Sequence, residues 1–187
     1  MRSAAHRPPP PRTPRDAAGR ALIDRRYETL ARAAAFLAQG RARPLPGGAL
    51  PSPQAAEVRR RYVANCLGEL ARFLHALIDE AAGQAPAVTV QRNAANKIAL
   101  LPLGRGHAGH ERRRLLALGR TRACLIHCGG IVSRADQRDG ERMTAGWLCP
   151  RSAELETFPM GAELQPAARE LADSGAFYRG LADRIVS

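Results

Sequence analysis

One apolar face constrains this chain more than any other feature. Between about residues 52 and 83, Val63, Cys66, Leu67, Leu70, Phe73, Leu74, Leu77 and Ile78 recur at helical spacing. That pattern predicts a long amphipathic helix with one side committed to a core. Ser52 followed by Pro53 suits its start, and Gly83 suits its C-terminal stop. Cys66 falls on the apolar side and reads as a small core hydrophobe. Asp79 and Glu80, near the end, read as solvated acids.

A helix this long needs covering elements, and the remaining pattern supplies them. Leu22, Ile23, Tyr27, Leu30, Ala34 and Leu37 predict a helix from Gly19 to Gln39, with Gly40 as its stop. Residues 41–53, rich in proline and glycine, read as a loop. Residues 1–18, MRSAAHRPPPPRTPRDAA, lack large apolar side chains and read as a disordered basic tail. The stretches AVTVQR and KIALLPL predict strands near 87–92 and 97–103, separated by a turn at NAAN. His110–Leu118 reads as a helix closed by Gly119, and residues 122–127 as either a third strand or the continuation of a helical pair. Ser133 can cap a helix running to about Leu148, a loop extends through Pro159, and a final helical section breaks near Ser174–Gly175. The expected fold is helix-rich α+β, with a small β-hairpin or three-stranded sheet near residues 87–127. Residues 19–187 form one compact domain.

Charge narrows the function classes. The formal net charge is +12, and twelve of the 29 basic side chains lie in residues 1–60, with nine more in 101–143. Such a surface attracts nucleic acid, anionic lipid or an acidic protein through salt-sensitive electrostatics. Four cysteines in 187 residues do not make a disulfide scaffold. No apolar run approaches the roughly 20 residues of a membrane span, and the N-terminus lacks the apolar core of a secretory signal. Cytoplasmic residence is expected.

The stretch Lys97–Gly130 carries the most chemistry. Gly104-Arg105-Gly106-His107-Ala108-Gly109 matches G-x-G-x-x-G between an apolar run and a helix start, where backbone N–H groups can cradle a phosphate. Pro102 interrupts the preceding strand, and no acid follows to hold a ribose, so a general anion loop fits better than a dinucleotide site. Arg112, Arg113 and Arg114 sit in the first helical turns, where the helix dipole disfavours each by ~0.3–1 kcal/mol. A docked anion would turn that liability into a site, with Arg105, His107 and His110 beside it and Arg120 and Arg122 extending it. No cofactor is required. A zinc ion is the one that the spacing allows, on His107, His110, Cys124 and Cys128.

The segment TRACLIHCGGIVSRADQRDGERM can be read as a helix ending at Gly129-Gly130, a turn, and a second helix capped by Ser133. It resembles the turn of winged-helix DNA-binding domains over about twenty residues. The resemblance implies that Arg134, Gln137, Arg138 and Arg142 face a major groove, Arg toward guanine and Gln toward adenine.

No G-x-S-x-G, Walker loop or H-E-x-x-H occurs, and catalysis is not the leading expectation. A nucleic-acid-binding protein is, with DNA regulation as its sharper form and arginine–phosphate contacts as its mechanism. The alternative is a non-catalytic adaptor for an acidic protein partner. A third reading is a small phosphate-ligand enzyme using residues 104–109.

Overall fold

The long apolar face becomes a single helix at the centre of the molecule. In a computed structural model, which describes residues 14–39, 53–83, 85–101, 108–137 and 140–187, it runs from Pro53 to Ala81 and is here called α2. Val63, Leu67, Leu70, Leu74, Leu77 and Ile78 are all buried, as the spacing requires, and Cys66 and Phe73 pack half-buried against them. The other helices are α1 (Pro14–Gln39), α3 (Pro86–Thr89), α4 (Ala94–Ile98), α5 (Ala108–His127) and α6 (Ala168–Val186). Two strands, β1 (Arg142–Leu148) and β2 (Leu155–Pro159), lie between α5 and α6 in sequence. The chain is thus helix-rich α+β with a small antiparallel hairpin.

The hairpin is not where the sequence put it. Residues 86–98 form two short helices instead of strands. Asn93, read as part of a β-turn, is the cap of α4, its side chain accepting the Asn96 N–H at 2.8 Å. That cap bond favours a helix start over a hairpin turn. Residues 122–127 are helical as well, because α5 passes through Gly119 without a break. The expected helix after Ser133 is also absent. Residues 132–135 are extended, and β1 occupies the second half of that span. Pro14 to Ala18, expected in the tail, extend α1, whereas residues 1–13 and most of the 41–53 loop lie outside the described residues.

α6 runs unbroken through Ser174 and Gly175. A Cβ at Gly175 would come within 2.7 Å of the Ala34 carbonyl oxygen. The glycine therefore marks where α6 presses on the α1 backbone, not where it ends.

β1 pairs with β2 in the register Arg142–Pro159, Met143–Phe158, Thr144–Thr157 and Leu148–Leu155, with an irregularity between. Met143, Ala145 and Trp147 alternate into the core. Its other edge is closed by side chains instead of a third strand. The N–H groups of Thr144, Gly146 and Leu148 donate to Asp136 (3.0 Å), Thr121 (3.1 Å) and Asp173 (3.0 Å). The Gly146 carbonyl accepts from Arg114 Nε at 3.0 Å. Side chains from α5, α6 and the bend at Asp136 thus satisfy the backbone that an open edge would leave unpaired, and Thr121 and Arg114 fix the hairpin against α5.

Candidate functional site

Docking the hairpin on α5 creates a groove along one face of that helix. His110, Arg113, Arg120 and His127 follow one another at intervals of three to seven residues, close enough to helical repeats to share that side. The groove has two hollows that meet at Arg120. The first, about 530 Å³, lies between α5 and the hairpin. His110, Arg113 and Arg120 line its helical side, and Thr144, Glu154 and Thr157 its hairpin side, over Leu116 and Leu155. The second, about 580 Å³, lies between the last turns of α5 and residues 133–135. Cys124, His127, Arg134 and Met143 line it. From His110 to His127 the helix rises roughly 25 Å.

Its charges are arranged unequally. Arg113 and Arg134 are exposed and form no ion pair among the described residues. Arg120 is matched by Asp136, its Nε lying 2.9 Å from Oδ1. That buried Nε nonetheless makes no hydrogen bond, since Asp136 is already held by the Thr144 N–H and hydroxyl and faces the guanidinium out of line. Arg120 is therefore electrically paired but geometrically unsatisfied. Glu154, exposed on the opposite wall, forms no ion pair among the described residues either.

The three consecutive arginines do not act as a cluster. Successive helical residues are rotated by about 100°, and each arginine meets a different environment. Arg112 is exposed and reaches Asn96 of α4 at 3.3 Å. Arg113 enters the groove. Arg114 is 5% exposed, bonds Asp173 at 2.5 Å and the Gly146 carbonyl, and stacks on Phe177 with its guanidinium carbon 4.3 Å from the ring centre. It is structural. Glu111, also buried, pairs with Arg184. Arg122 lies on another side of α5, against Gly68 of α2.

The remaining expected site residues separate in the same way. Gly109 is exposed in the first turn of α5, whereas Gly104, Arg105, Gly106 and His107 lie outside the described residues, as does Arg138. Gln137 is exposed in a turn whose carbonyl accepts the Gly140 N–H, and it lines neither hollow. Arg142, exposed, bonds Thr157 across the hairpin. The helix-turn-helix reading is overturned. α5 ends at His127 and Gly129-Gly130 follow in a turn, both with positive φ, but no helix is formed over residues 131–137, and Ile131 bridges Glu163. No recognition helix follows the turn.

Zinc is excluded on geometry. His110 and Cys124 are fourteen residues apart on one continuous helix, a separation of roughly 21 Å, so no single ion touches both. Among the described residues no group of three or more His, Cys, Asp or Glu is placed to hold a metal. Cys124 is buried and donates its S–H to the Ile131 carbonyl at 3.3 Å. Burial, with Cys128 beside it, pushes its pKa up to about 11, which suppresses the thiolate that metal binding or nucleophilic attack needs. Compared with known proteins, the chain matches no family model, no curated protein and no solved structure.

One ionic site escaped the sequence reading. Lys97, the chain's only lysine, is 1% exposed and pairs with Asp79. Asp79 is thus the counter-ion of a buried cation, not a solvated acid. His75 lies 3.5 Å from the same carboxylate. Burial and the nearby Lys97 charge hold the His75 pKa below the ordinary histidine value, against the pull of Asp79. The pairing joins α2 to α4, and no local sequence signal announces it.

Proposed function

We propose that the protein binds nucleic acid through its sugar–phosphate backbone, along the α5 groove and without reading base edges. The observation that carries this is the pair of exposed guanidinium groups, Arg113 and Arg134, which form no ion pair among the described residues and lie on either side of the half-satisfied Arg120. An arginine already neutralised by a carboxylate gains little from a phosphate. One without a partner gains a charge-assisted, often bidentate contact. The chain's +12 charge adds long-range attraction. Neither hollow is lined by Phe, Tyr or Trp, and the imidazoles of His110 and His127 are the rings that their linings offer to a base. Without a recognition helix, sequence-specific major-groove reading is not part of the proposal.

An acidic polypeptide is the second reading. It is favoured by the small apolar surfaces of Ala123, Ala135 and Met143 in the second hollow, which suit a short side chain beside the charges. The small phosphate-ligand reading depends on residues 104–107, which are outside the described residues.

The test compares two double variants that lose the same charge. Arg113→Ala with Arg134→Ala is expected to weaken binding to a short oligonucleotide by at least about tenfold. Arg59→Ala with Arg92→Ala, on exposed residues away from the groove, is expected to change it by less than about threefold. Equal losses would mean that net charge, not the groove, carries binding. Displacement of the oligonucleotide by poly-glutamate at a lower concentration than by unlabelled oligonucleotide would favour the polypeptide reading.

A further inference from the structure

We infer that the first hollow selects ribose, so that the nucleic acid it takes is RNA and not DNA. This rests on the backbone-binding proposal and deepens it. A surface shaped only for phosphate gains nothing from a carboxylate, because like charges repel. Yet Glu154 lines the same 530 Å³ hollow as Arg113 and pairs with no cation among the described residues. A carboxylate facing a phosphodiester chain is favourable where it accepts a proton from a neutral donor. On a nucleic-acid backbone that donor is the ribose 2′-hydroxyl, which DNA lacks.

The neighbouring chemistry fits a hydroxyl that both gives and takes a hydrogen bond. Thr157 Oγ1 accepts from Arg142 Nε at 3.1 Å and from a second Arg142 nitrogen at 3.0 Å. Its own O–H remains as a donor. Glu154 supplies the acceptor, while Arg113 faces them from α5 as the cation free for phosphate and Arg120 stays matched to Asp136 in the same lining. A ribose-phosphate unit laid across the hollow thus meets the Arg113 guanidinium on one wall and a donor–acceptor pair on the other.

The turn between β1 and β2 fixes the position of Glu154. Ala153, immediately before it, has φ +55° and is the only non-glycine with positive φ among the described residues. Such a backbone is disfavoured for alanine and persists where the surroundings enforce it. Here the Ala153 N–H donates to the Cys149 carbonyl at 3.0 Å, and the Cys149 N–H to the Glu154 carbonyl at 2.7 Å. Together they close a turn that sets Glu154 at the rim.

The experiment measures the affinity of the full chain for one single-stranded sequence as RNA, as 2′-O-methyl RNA and as DNA. The wild type is expected to prefer RNA by about tenfold, with the 2′-O-methyl form behaving like DNA. Glu154→Gln keeps an acceptor but removes the charge. It is expected to raise DNA affinity and bring the RNA preference below about threefold. Equal affinity for all three strands, with Arg113→Ala still weakening each, overturns ribose selection and leaves backbone binding intact. A wild-type RNA preference that Glu154→Gln does not reduce also overturns the assignment. Failure to bind any of the three overturns both proposals.

Discussion

Arg113 and Arg114 are neighbours in sequence and opposites in role. Arg114 is buried, with its charge matched by Asp173, its Nε holding the Gly146 carbonyl and its plane on Phe177. Arg114→Ala would strip Asp173 of its partner and leave a strand carbonyl unpaired. We expect a loss of about 3 kcal/mol, at the lower end for broken buried pairs because Asp173 is partly exposed. Arg113→Ala should stay within about 0.5 kcal/mol, as for exposed positions generally. Urea denaturation of the two variants checks the contrast. The density of arginine was legible in the sequence, but its partition was not. Which of three successive arginines is buried depends on where α6 and β1 pack, and both lie some 30 or more residues downstream. Lys97 and Asp79 were hidden for the same reason, since their pairing exists only once α4 closes on α2.

At the scale of elements, the long helices were readable because each repeats its apolar spacing over several turns. α2 and α1 formed where that spacing predicted, and even Gly119 and Gly175 did not interrupt their helices. The short elements were misread because competing local signals are strong over a few residues. Val88 and Val90 suggested strand, yet Pro86 starts the short α3, with Val90 as its C-cap, and the Asn93 cap starts α4 after it. The alternation of Met143, Ala145 and Trp147 was present in the sequence, but the capping potential of Ser133 drew the reading toward helix. What makes β1 a strand is its edge closure by Thr121, Asp136 and Asp173, a set of long-range contacts with no sequence signature. Thr121 is fully buried, so Thr121→Val keeps the shape and removes the acceptor of the Gly146 N–H. A cost of about 1–3 kcal/mol is expected from one buried, unpaired donor. Hydrogen exchange should show faster protection loss in β1 than in α2, and equal loss in both would contradict an edge-closing role.

At the scale of the molecule, the groove joins parts that are separate in sequence: one face of α5, the extended chain after Gly130, and the hairpin. The sequence showed that positive charge is concentrated in residues 1–60 and 101–143. It could not show that folding keeps His110, Arg113, Arg120 and Arg134 along one groove while turning Arg112, Arg114 and Arg122 elsewhere. His127 joined the groove unannounced, because its place depends on α5 continuing past Gly119. No described helix is long and apolar enough to cross a membrane. The decisive quantity is the number of phosphates that the groove contacts, read from the slope of log affinity against log salt concentration for a single-stranded RNA. A steep negative slope is expected for the wild type, falling by about 1.4 when Arg113 and Arg134 are both replaced by alanine, since each lost contact is worth about 0.7. The same slope in wild type and double variant, or no salt dependence at all, would contradict the groove as the binding surface.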